Sequence, residues 1–157
     1  MDERRVGDGV RGEEGPTRPD GARPVRVHAE GGHIALRYGA GVMVDGAERA
    51  CPRDDQPLPG PEDLDFDLLQ WTLPSRYCPS DALGPTAAAA FGGRPRTRRL
   101  IPEVADWVRE RIAYVPGASD TLTTPDQTLL ARRGLCRDIA HLTARLLRAL
   151  DVPARPG

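Results

Sequence analysis

The stretch "RRGLCRDIAHL", Arg132 to Leu142, sets a single cysteine directly after a helix-stop signal and directly before a long amphipathic run. From Cys136 to Leu150 the apolar positions Ile139, Leu142, Leu146, Leu147 and Leu150 trace one face, which predicts a helix that begins at or just after the thiol. A helix N-terminus presents unpaired amide donors and a partial positive charge. Both favour thiolate over thiol, and Arg137 next door adds to that field. The same amides suit an oxyanion formed when a thiolate attacks an acyl carbon, so the expected chemistry is acyl transfer through a thioester. Position alone gives equal weight to a small buried cysteine that only packs. His141 lies five residues on, about 140° around the helix from the thiol, and is expected to be solvated or packed and not to serve as the base.

The elements that must hold this cysteine are legible nearby. In TTPDQTLLARRG the cap is Thr124, Pro125 takes the first helical position, Gln127 completes a capping box, and Gly134 is the expected C-terminal stop. RLIPEVADWVRERIAY places Ile101, Val104, Val108 and Ile112, with Trp107 beside them, on one helical face. Ser80 is a plausible cap for an alanine-rich helix ending at Phe91 and Gly92-Gly93. A short helix is expected between Leu64 and Leu73, stopped by Pro74. "PSRYCPSD" reads as a compact loop.

Upstream the pattern changes. Residues 1–24 mix charge with Gly and Pro and hold almost nothing that could be buried, so they are expected to form a disordered N-terminal arm. Val25, Val27 and Ala29 alternate with polar neighbours, Gly31-Gly32 supply a turn, and Ile34, Leu36 and Tyr38 resume the alternation: a β-hairpin. A short strand at Val42–Val44 and a turn-rich connector from Asp45 to Glu62 follow. The expected organisation is the arm 1–24, a short β module with connector 25–62, and a partial helical domain 63–157.

Composition narrows the function. All 22 basic residues are arginine, against 23 acids and a net charge of −1, which gives no global pull toward nucleic acid or anionic lipid. "RPRTRR", Arg94 to Arg99, lies among Gly and Pro without interleaved aromatics and reads as a solvated linker. Without lysine there is no ordinary P-loop. Asp63, Asp65 and Asp67 open like a calcium loop, but Leu68 and Pro74 stand where Gly and Glu are needed. No apolar run approaches the roughly 18 residues that span a bilayer, so no membrane association and a cytoplasmic location are expected. Cys51, Cys78 and Cys136 are too irregularly spaced for a disulfide framework or a zinc site, so no metal or other cofactor is expected.

"DQTLLARRGLCRDIAHLTARLLRALDVPAR" resembles the nucleophile region of bacterial transglutaminase-like proteins, in which a Gly-x-Cys-Arg-Asp turn opens the core helix. "LPSRYCPSD" and "WVRERIAYVPGASD" are similar to the loop and helix of that group, and the hairpin to its N-terminal β region; coverage runs from about Val25 to Arg155. The resemblance implies an α+β, papain-like cysteine fold with a Cys, His, Asp triad acting on glutamine-type amides or peptide bonds. It places Cys136, and neither Cys51 nor Cys78, as the nucleophile. It also implies that the family's His and Asp lie on strands beyond "PAR". The chain is therefore expected to be a C-terminally truncated member with an incomplete triad and little turnover, since His28 and His33 lie on the predicted hairpin. Without those strands the face at Ile139, Leu142, Leu146 and Leu150 is expected to be partly exposed, favouring self-association. The alternative is a non-catalytic binding or scaffold module that retains the fold.

Overall fold

The computed structural model describes residues 3–6, 10–18, 22–29, 36–39, 41, 43, 53–75, 78–120 and 122–156. The chain divides into two compact units, 1–48 and 49–157. In the first, β1 (Glu3–Val6) pairs antiparallel with β4 (Leu36–Gly39), and β2 (Val10–Glu14) pairs antiparallel with β3 (Val25–Ala29). Val6 stands opposite Leu36 and Val10 opposite Ala29. The expected hairpin is thus corrected. The strands at 25–29 and 36–39 pair with 10–14 and 3–6, inside the stretch expected to be disordered.

The connection from β2 to β3 closes through Gly15 N–H to Pro24 O (2.9 Å) and Arg18 N–H to Ala22 O (2.8 Å). Val27 and Ala29 are half-buried while Arg26 and His28 point to solvent, the period of a strand with one covered face. His33, the strand expected at Val42–Val44, Cys51, Arg76 and Tyr77 lie outside the described residues, apart from Met43.

The second unit is helical. The short α1 (Phe66–Leu69) replaces the longer helix expected to Leu73; its apolar residues gain little by extending, with Phe66 91% exposed. A 3-10 turn at Ser80–Leu83 leads into α2 (Gly84–Phe91), so Leu83, and not Ser80, is the cap residue of that helix. α3 (Leu100–Arg111) buries Leu100, Val104 and Val108, followed by Ile112, while Trp107 meets Phe91 edge to face at 5.8 Å. α4 (Pro125–Ala131) carries both halves of the expected capping box: Thr124 N–H to Gln127 Oε1 (2.9 Å) and Gln127 N–H to Thr124 Oγ1 (3.4 Å).

α5 (Cys136–Ala149) is the central element. Leu142, Leu146 and Leu147 join Leu83, Ala87, Phe91, Val104, Val108, Ile112 and Val152 in one core. The face expected to be exposed is covered: Leu142 and Leu146 are fully buried, and Ile139 and Leu150 half-buried. Burying a leucine is worth roughly 1.5–3 kcal/mol, and α2 and α3 supply that burial from within the unit.

Two arginines of α5 are buried as well. Arg145, 0% exposed, donates from Nε to Pro79 O (2.6 Å), and its Nη1 lies 2.8 Å from Asp126 Oδ2. Arg148 donates to Ala154 O (2.8 Å) and Leu73 O (2.9 Å) and stacks near Trp71. Guanidiniums whose stems and forks reach backbone carbonyls can replace apolar packing along a helix face.

The stretch expected to be a solvated linker also has a structural task. Arg96 donates to Leu150 O (2.5 Å), Asp151 O (2.8 Å) and Pro59 O (3.1 Å), binding three loop carbonyls at once. Arg98 and Arg99 pair with Asp54 and Asp55, and Leu58 N–H meets Arg96 O, so the second half of the connector packs against the helical unit. No helix among the described residues is long and apolar enough to cross a membrane.

Candidate active site around Cys136

Two short parallel strands set the direction of the nucleophile turn. β5 (Ala113–Tyr114) pairs with β6 (Arg133–Gly134) through Ala113 N–H to Arg132 O (2.9 Å) and Val115 N–H to Gly134 O (3.1 Å). The residue that ends α4 is Arg132, left-handed at φ 53°, which corrects the assignment of that stop to Gly134. Gly134 serves a different need. A Cβ there would sit 3.0 Å from Asp138 Cβ and 3.1 Å from Thr128 Cγ2, so a side chain would push α4 and α5 apart.

Cys136 is the first residue of α5 and is exposed. Its amide and that of Arg137 make no hydrogen bond among the described residues, so two donors at the helix start remain free beside the thiol. Asp138, 3% exposed, accepts the Leu135 N–H at 2.8 Å, completing the acidic half of a capping box, and also accepts the Ser119 hydroxyl. Arg137 places Nη2 3.0 Å from Asp138 Oδ1 and 2.5 Å from Asp120 O. Its guanidinium is thus paired with a buried carboxylate.

Burial pushes the Asp138 carboxyl up, but the hydrogen bonds from Ser119, Leu135 and Arg137 outweigh that and leave it below the usual carboxylate range. Asp120 is also lowered, first by the Leu122 amide and then by the Thr123 hydroxyl. The loop 115–124 is therefore fastened to the start of α5 by Ser119 and Asp120. On its α4 side an open recess of about 350 Å³ is lined by Ala118, Asp120, Leu122, Thr123, Gln127 and Arg133 among others.

Of the other candidates, Cys78 is buried, and burial raises its thiol against the opposing pull of Arg148 and Arg145. His141 is half-buried one turn and a half along α5 and is the one histidine that the sequence places in the helical unit. His28 is exposed on β3 of the first unit. Sequence reasoning missed Ser119 and Asp120, which lie 19 and 18 residues from Asp138 in a loop without periodicity.

An exposed cysteine thus opens the core helix after a Gly-x-Cys turn. Residues 86–157 match the transglutaminase-like superfamily. An uncharacterised protein of Mycobacterium leprae is 33% identical over 86 residues, covering 52% of this chain and 29% of the relative. The crystal structure of a candidate cysteine protease from Cytophaga hutchinsonii is similar with a TM-score of 0.70 and 26% identity, covering 98% of this chain and 53% of that one. The chain thus spans about half the length of the solved structure and under a third of the curated relative. Its architecture is a mixed α and β, partial transglutaminase-like, papain-like fold.

Proposed function

We propose that Cys136 is the nucleophile of a transglutaminase-like, cysteine-peptidase-type acyl transfer, acting on a peptide or protein amide through a thioester. The observation that carries this reading is the exposed sulfur at the first residue of a 14-residue helix, beside two amides that have no partner among the described residues. Thiolate attack on the acyl carbon would generate an oxyanion next to those amides, and expulsion of the leaving amine would leave the acyl group on Sγ. The match of residues 86–157 to the transglutaminase-like superfamily and the likeness to a candidate cysteine protease support the same chemistry. Reduced cytoplasm is the compartment in which such a thiol persists.

His141 lies about 140° around the helix from Cys136, so the 157-residue chain by itself is expected to lack the acid that protonates a leaving amine. That contribution is worth roughly 10²- to 10⁴-fold. The test is to incubate the chain with an activated acyl ester and with amide substrates, locating adducts by mass spectrometry against Cys136→Ser. An acyl adduct on Cys136 with little amide turnover is the expected result. Absence of any adduct overturns the thioester; robust amide hydrolysis by the chain alone overturns the low-turnover reading.

A further inference from the structure

We propose that Asp138 is a positioning residue for Cys136: its buried carboxylate fixes the turn so that the Cys136 and Arg137 amides face an oxyanion formed at the sulfur. This rests on the thioester reading above.

The argument starts from what the carboxylate holds. It collects donors from three places in the chain: the Leu135 amide just before the helix, the Arg137 guanidinium within its first turn, and the Ser119 hydroxyl from the loop that follows β5. A helix cap alone needs only the first. α4 shows this in the same molecule, where Thr124 and Gln127 cap the helix with strictly local groups.

Two further contacts remove freedom from the turn. Gly134 packs against Asp138 so closely that a Cβ there would meet Asp138 Cβ at 3.0 Å, and Arg137 is anchored at its far end on Asp120 O. With the Arg137 side chain folded onto Asp138, the backbone amides of Cys136 and Arg137 are the donors left at the helix start, and the Gly134–Leu135 peptide immediately before them is the one that Asp138 holds. An oxyanion donor works by being fixed in advance, so slackening this turn would cost the acyl-transfer step specifically.

Two reagents separate that role from simple stabilisation. p-Nitrophenyl acetate is attacked at its carbonyl carbon: the Sγ–C bond forms, the C–O bond breaks with its electron pair leaving on p-nitrophenolate, and the thiol proton passes to solvent. A tetrahedral oxyanion lies on that path. Iodoacetamide is attacked at a saturated carbon and releases iodide, with no oxyanion. Both rate constants are measured on the full chain at one pH, well below its melting temperature, for wild type, Asp138→Ala, Asp138→Asn and Ser119→Ala, with Cys136→Ser subtracted.

Asp138→Ala should lower acylation about 10²-fold, the usual loss for a displaced oxyanion donor, with alkylation staying within about threefold. Asp138→Asn keeps an oxygen for the Leu135 amide and should restore acylation to within about tenfold of wild type. Ser119→Ala, which leaves the cap intact, should fall between them and carries the ratio test if Asp138→Ala does not fold. The proposal is overturned if the variants change both rates in the same proportion or change neither. A wild-type chain that alkylates at Cys136 and never acylates overturns the thioester reading and this proposal with it; normal acylation with an unchanged ratio overturns this proposal alone.

Discussion

At the start of α5 a cysteine stands exposed beside an arginine whose charge a buried carboxylate takes up. Along its C-terminal half a second cysteine, Cys78, is buried beside Arg145 and Arg148, whose guanidiniums are spent largely on backbone carbonyls. The residue types are the same, and the consequences are opposite. Nearby arginines do not make a thiol reactive by themselves: at Cys78 desolvation outweighs their pull. At Cys136 exposure and unpaired helix amides are what distinguish the site.

The largest expected difference lies in labelling. Iodoacetamide should modify Cys136 in the native chain about a thousandfold faster than Cys78, whose reaction waits on local opening; peptide mapping over time reads the ratio, and comparable native rates would break the comparison. In strong urea the ratio should collapse toward one.

Next comes the arginine side. Arg145→Ala leaves the Pro79 carbonyl without its donor and Asp126 without its partner, and should cost about 3 kcal/mol in chemical denaturation. Arg145→Met, which refills the volume without the charge, should recover much of that. A loss below about 0.5 kcal/mol for the alanine variant would mean that the buried guanidinium contributes nothing net.

The acidic clamp should reveal itself in pH. Asp138 and Asp120 both sit below their ordinary values in the folded chain. The stability they add is complete above the unfolded carboxylate value of about 3.9 and is lost as pH falls through the lower folded values. Thermal melts on the acid side should therefore fall less steeply for Asp138→Asn than for wild type, and parallel curves would remove the clamp from the account. The smallest effect belongs to Thr124→Ala, about 1 kcal/mol for loss of a helix cap far from any thiol chemistry, measured by the denaturation midpoint.

What the sequence disclosed follows the range of the interactions involved. α3 and the capping box of α4 are local: Val104 and Val108 repeat at helical spacing, and Thr124 finds Gln127 three residues on, so pattern was enough. The two N-terminal strand pairs were misjudged because Glu3–Val6 and Val10–Glu14 look like solvated charge until their distant partners pair with them. Arg96 falls in the stretch expected to be a solvated linker, and nothing in the pattern singles out Arg145 and Arg148, since arginine usually lies at the surface; only tertiary contacts to Pro79, Leu150 and Ala154 explain where they are held. At the site, Cys136 was legible from its place at the helix start. Asp138 was visible as part of a motif, but its task depends on Ser119, which no spacing rule connects to it.

The manner in which Arg96 and Arg148 are held implies an order of events. Their hydrogen bonds end on peptide oxygens, which do not titrate, whereas the Ser119 hydroxyl and the Leu135 amide at the start of the helix both end on the Asp138 carboxylate. Acidification should therefore loosen the molecule from the thiol end first, leaving the far half of the helix seated while the nucleophile is already adrift.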